Sequence, residues 1–175
     1  MSHIKCFSHS LGVLTIALFV HILMLLPIQS LEAANIGERF GDWMHECEAV
    51  APNKTNCFIS QTQVMKESGK LVVSIVMGKL GADRQPGILV TVPISIFLPS
   101  GVVAKIDEGK QFDLLLQKCF PAGCRATAAL TTAQLRALKS GNKIFIAYKN
   151  TPRAEPIVLP VSLKGVTAGF AAIGM

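Results

Sequence analysis

Lys70–Met77 reads KLVVSIVM and Ile88–Phe97 reads ILVTVPISIF. In the first stretch Leu71, Val73, Ile75 and Met77 share one face of an extended chain. Such runs of β-branched and apolar residues at period two are strands, and they are too short and too uniform to be amphipathic helices. Pro93 has no amide hydrogen to give a neighbouring strand, so in the second stretch it marks an edge or a bulge. The same alternation recurs downstream. Phe112, Leu114 and Leu116 alternate with Asp113, Leu115 and Gln117. Ile144, Ile146 and Tyr148 alternate with Phe145, Ala147 and Lys149. Ile157, Leu159, Val161 and Leu163 oppose Val158, Pro160 and Ser162. Turn residues separate the runs at Ser68-Gly69, Gly81-Ala82-Asp83, Pro99-Ser100-Gly101, Glu108-Gly109, Pro121-Ala122-Gly123 and Asn150-Thr151-Pro152.

One segment reads as a helix. Thr131 or Thr132 caps it, Ala133 to Lys139 are good helix formers, and Gly141 ends it with basic residues in the last turn. A second short helix is an option around Thr167 to Ile173. Seven or more short strands between regular turns favour a β-sandwich, although a barrel has the same periodicity. The predicted fold is all-β: a sandwich with one short helix, stapled by two disulfides.

The chain has 175 residues, a net charge of +6 and 16% charged residues, which suits one folded domain better than a disordered chain. Its apolar character is concentrated at the start. Leu11 to Leu26 reads LGVLTIALFVHILMLL, Lys5 precedes it, Pro27 breaks it, and Ser30-Leu31-Glu32-Ala33-Ala34 follows. A positive start, an apolar run and a small-residue exit describe a secretory signal peptide, cut after Ala33 or Ala34. The alternative, an uncleaved anchor, needs a run of roughly 20 residues. Residues 1–34 are therefore assigned to the signal and 35–175 to one domain.

The domain keeps Cys47, Cys57, Cys119 and Cys124. An even number in an oxidising compartment predicts two disulfides, with three pairings open. The nearest-neighbour pairing, Cys47–Cys57 and Cys119–Cys124, is the expected one, and each short loop would contribute roughly 2–3 kcal/mol. Free buried thiols are the alternative.

Few residues suggest chemistry. Gly41-Asp42-Trp43 reads either as a ligand platform or as a core tryptophan beside a disulfide, and the second is expected. His45-Glu46-Cys47 lacks the close cysteine pairs of zinc sites, so no metal is expected. Cys119-Phe120-Pro121-Ala122-Gly123-Cys124 has four intervening residues where thioredoxin-type pairs have two, and reads as a closed hairpin turn. Among the four histidines only His45 lies beyond residue 34, which leaves little for acid–base catalysis. There is no Gly-x-Ser-x-Gly elbow and no phosphate loop, and Asp83, Asp107 and Glu108 read as solvated turn acids. The positive charge is scattered from Lys66 to Lys164 without interleaved aromatics. A nucleic-acid partner is not expected of an exported chain, whereas attraction to anionic surfaces such as lipopolysaccharide or acidic glycans fits.

Several segments in order resemble the invasion-associated locus B family of alphaproteobacterial exported proteins. They are Phe40-Gly41-Asp42-Trp43 with Cys47, Cys57 and Gln61; Val92-Pro93-Ile94, Leu98, Gly101-Val102 and Ile106-Asp107-Glu108-Gly109; Cys119, Gly123-Cys124-Arg125-Ala126, Leu130, Leu135, Leu138-Lys139 and Gly141; and Pro160-Val161-Ser162-Leu163-Lys164-Gly165. The resemblance implies an immunoglobulin-like sandwich, a periplasmic or outer-membrane-associated location, and a link to host-cell invasion. It supplies no catalytic residues. Val166 departs from the pattern, where an aromatic residue is more typical, which implies looser packing there. The expectation is a non-enzymatic envelope protein of a Gram-negative bacterium, without cofactor. It would act by binding an unknown protein, envelope or host-surface partner, and touch membranes peripherally at most. Loops around Trp43, Gly81 to Gly87 and Arg153 are the candidate binding face. The alternatives are a periplasmic housekeeping or assembly factor, and an enzyme using His45.

Overall fold

The computed structural model describes residues 35–175, and the segment assigned to a signal peptide lies outside them. Among the described residues no helix is long and apolar enough to cross a membrane. The elements run β1 (Arg39–Phe40), β2 (Trp43–Ala51), β3 (Lys54–Val64), β4 (Leu71–Leu80), β5 (Gln85–Val92), β6 (Val102–Ile106), β7 (Phe112–Phe120), β8 (Gly123–Ala129), α1 (Thr132–Ser140), β9 (Lys143–Tyr148), β10 (Ile157–Ser162) and α2 (Val166–Ala172).

The strands form one antiparallel ladder in the order β1-β2-β3-β4-β5-β8-β7-β6-β9-β10. It becomes two layers because β7 serves both. Phe112–Leu114 pair with β6 and Leu115–Phe120 pair with β8, with a bulge in the second pairing between Leu116 and Lys118. Strands β5 to β8 lie in the order 5-8-7-6, a Greek-key connection of the kind β-sandwiches use.

Period-two alternation places the core. Val73, Ile75 and Met77 of β4 are buried, as are Ile88, Val90 and Val92 of β5, Ile144, Ile146 and Tyr148 of β9, and Val161 of β10. Fully burying a Val or Ile side chain contributes roughly 1.5–3 kcal/mol. The core face of each strand is therefore set by burial, and a one-residue register slip would expose the whole set.

Three local readings change. The strand expected through Phe97 ends at Val92, because Pro93 cannot continue the ladder; Phe97 instead donates its N–H to Lys149 O. The domain has two short helices rather than one. The second, α2, packs its buried Val166, Gly169 and Phe170 against the β1–β3 side and α1. Val166, which departs from the family pattern, is fully buried. The first helix, α1, starts with a capping box: Thr131 Oγ1 accepts from Gln134 N–H, and Gln134 Oε1 accepts from Thr131 N–H. That arrangement is worth about 1 kcal/mol.

Candidate functional site

The two motifs at opposite ends of the domain meet. Trp43 is fully buried, and its Nε1–H donates to Ser162 O at 2.9 Å. Asp42 N–H donates to Lys164 O at 3.0 Å, and Gln61 Nε2 donates to Asp42 O at 2.9 Å. Two glycines make this approach feasible. Gly41 has φ +58°, and a Cβ there would sit 2.5 Å from Lys164 O. Gly165 has φ +99°, and a Cβ there would overlap the Phe40 carbonyl. Leu163 is buried, and its N–H donates to Asn142 O. This clasp makes Trp43 a core residue and leaves it no surface for a ligand. Asp42 and Lys164 contribute backbone groups to it.

Both disulfides staple hairpins between directly opposed residues. Cys47 bonds Cys57 across β2–β3, and Cys119 bonds Cys124 across the two-residue turn of β7–β8. His45 lies two residues before Cys47, on the same strand face. It is buried, and its ring nitrogens face Asn35 O at 2.9 Å (Nδ1) and Cys47 Sγ at 3.6 Å (Nε2). Neither partner is a hydroxyl or a carboxylate, so the geometry assembles no triad around His45. Asp107, expected as a solvated acid, instead accepts the N–H groups of Asn142 and Lys143 at 3.0 and 2.9 Å and holds the start of β9. Glu108 pairs with Lys105 at 2.9 Å on the surface.

The open concavities flank the β4–β5 turn. A groove of about 430 Å³ is lined by Leu80, Gly81, residues 85–89, Gln117, Lys118, Arg125 and residues 127–129. Near its basic end Lys118 and Arg125 lie 4.8 and 4.7 Å from the centre of the Phe120 ring, within cation–π range. On the other side a cleft of about 300 Å³ is lined by Glu48, Val50, Ala51, Lys54, Asn56, Lys79, Gly81, Ala82 and Arg84. Three cations face one acid there. Asn56 is buried, and its Oδ1 has no hydrogen-bond partner among the described residues. Of the loops expected to form a binding face, residues 81–87 border these cavities, Trp43 does not, and Arg153 lies exposed between β9 and β10 outside both. The sequence reading missed Lys54 and Asn56. The signal available was a polar residue at an otherwise buried strand position, one residue before Cys57.

Residues 43–174 match the family described as Invasion associated locus B (IalB) protein. The chain belongs to the IalB family. Two Brucella abortus relatives, invasion protein B homologues from strain 2308 and from biovar 1 strain 9-941, are each 28% identical over 138 residues, covering 79% of this chain and 79% of each relative. The crystal structure of invasion associated protein b from Bartonella henselae superposes with a TM-score of 0.68 at 26% identity, covering 79% of this chain and 95% of that one. These IalB relatives are named as invasion proteins, not as enzymes. The IalB β-sandwich with its two disulfides marks an extracytoplasmic protein, since such bonds persist in oxidising compartments.

Proposed function

We propose that the chain is a non-enzymatic, exported envelope protein, periplasmic or outer-membrane-associated, that binds an anionic partner through the cleft beside the β4–β5 turn and serves host-cell association. The observation that carries this reading is the charge of that cleft: Lys54, Lys79 and Arg84 against Glu48. Clustered cations on a concave surface raise the local concentration of acidic ligands. Acidic glycans are ligands of that class. The names of the Brucella and Bartonella relatives support the host-cell side of the reading.

Two measurements test it. On an immobilised sulfated glycan the protein should be retained at low salt and released as salt rises, because exposed charges are screened within about 8 Å at physiological ionic strength. The triple variant Lys54→Glu, Lys79→Glu, Arg84→Glu should elute at markedly lower salt, and equal retention would remove the cleft from the proposal. A deletion strain should enter host cells less efficiently than its parent. Normal entry together with an envelope defect would point to an assembly role instead.

A further inference from the structure

Both ring nitrogens of His45 are placed by neighbouring atoms. Its Nδ1 faces the Asn35 carbonyl at 2.9 Å, an acceptor only, so Nδ1 carries the proton. In the neutral ring Nε2 is then a bare lone pair, and it points at Cys47 Sγ from 3.6 Å. A backbone carbonyl fixing the far nitrogen is the usual support behind a metal-binding histidine. The ligand atoms of His45, Cys47 and Cys57 all lie within 4.8 Å of one another. Around a tetrahedral ion with Zn–S of about 2.3 Å and Zn–N of about 2.0–2.1 Å, nitrogen and sulfur ligands stand about 3.5 Å apart. The separation of His45 Nε2 from Cys47 Sγ already has that value, and Cys57 Sγ lies within 4.8 Å of both. Both cysteines are only half-buried, so the site can be reached.

With the disulfide intact the sulfurs have no thiolate to offer. We propose that reduction of Cys47–Cys57 opens a soft-metal site in which His45 Nε2 and the two thiolates bind one divalent ion such as zinc. The reductant is a dithiol. It gives two electrons and two protons to the Cys47–Cys57 bond and becomes a disulfide itself. The two new thiols then release their protons as the ion binds. Because Cys47 and Cys57 are paired across the hairpin, the β-ladder holds them opposite each other after the bond opens, and side-chain rotation brings the sulfurs to ligand spacing. The fourth position is left to water or to an exogenous ligand. Cys119–Cys124 lacks this capability, since His45 is the one histidine among the described residues.

Cobalt(II) is the probe, because thiolate ligation gives near-ultraviolet charge-transfer bands and tetrahedral geometry intensifies the visible bands. The reduced protein should bind one equivalent with both signatures, and the oxidised protein should show neither. The variant His45→Asn keeps an N–H for the Asn35 carbonyl but has no atom at the Nε2 position, so it should bind at least ~10-fold more weakly and lose the tetrahedral bands. The double variant Cys119→Ala, Cys124→Ala should bind as the parent does. Circular dichroism of each reduced sample reports folding. Absence of the bands in the reduced parent overturns the proposal, as does equal binding by His45→Asn. An unfolded reduced chain that captures cobalt through its thiols alone gives that second result.

Discussion

Tyr148 is the one tyrosine of the chain, and it ends β9 inside the core, 7% exposed. Desolvation by burial raises its phenol above the ordinary value of 10.0, because the phenolate loses its water. The raised folded-state value fixes the sign of the pH effect. Folded protein keeps the proton longer than unfolded protein, so the contribution to stability is complete below pH 10 and is lost as pH rises through the folded-state value. Alkaline difference absorbance in the native protein should therefore show a midpoint above that of a free tyrosine, with urea midpoints falling over the same range. A midpoint at or below the free value would contradict the burial. At the same scale His45 shows how little residue type says without partners. The one histidine among the described residues reads as a candidate base, yet its neighbours are a carbonyl and a sulfur.

Among elements, the clasp between the Phe40–Trp43 segment and the Ser162–Gly165 segment closes the sandwich. Along the same seam Gln63 Nε2 donates to Pro160 O at 3.1 Å, so β3 and β10 also meet. Gly165→Ala should destabilise the domain by roughly 3 kcal/mol or more, from left-handed strain together with the overlap on the Phe40 carbonyl. Gly69 also has positive φ, at +65°, but has open space around it. Gly69→Ala should cost only about 1 kcal/mol. Urea unfolding followed by the fluorescence of Trp43, the sole tryptophan and itself part of the clasp, separates the two. Equal midpoints for the two variants would mean that the close approach adds nothing beyond backbone strain. Element boundaries were legible where a residue ends the pattern, as Gly141 does after α1. They were less so at β8, whose small Ala and Thr residues give no strong period, and at β6, whose five residues are too few to show one.

For the molecule as a whole, the disulfides act on the unfolded chain. Removing Cys47–Cys57 by paired alanine substitution should cost about 3 kcal/mol, and removing Cys119–Cys124 about 2 kcal/mol, because the first closes the longer loop. The two hairpins share no strand, so the costs should add in the quadruple variant. Denaturant unfolding checks this, and a reversed order would show that native packing rather than chain entropy sets their contribution. The ladder order explains why both staples sit in hairpins. The long-range closure is carried by the clasp and by β7, which belongs to both layers.

Local periodicity was enough to name the class of fold, the shared faces of β4, β9 and β10 and helix α1, and cysteine spacing was enough to name the neighbouring pairs. All of these depend on residues a few positions apart, whose side chains must point the same way in a strand or helix. The meeting of Gly41 with Gly165, the placing of Cys57 opposite Cys47 beside His45, and the gathering of Lys54, Asn56, Lys79 and Arg84 around one cleft were decided only by the tertiary structure. Those contacts depend on strand register and on closure between segments more than a hundred residues apart in the case of the clasp. Register and closure are set by the burial and hydrogen bonding of the whole ladder at once, which no local window of sequence contains.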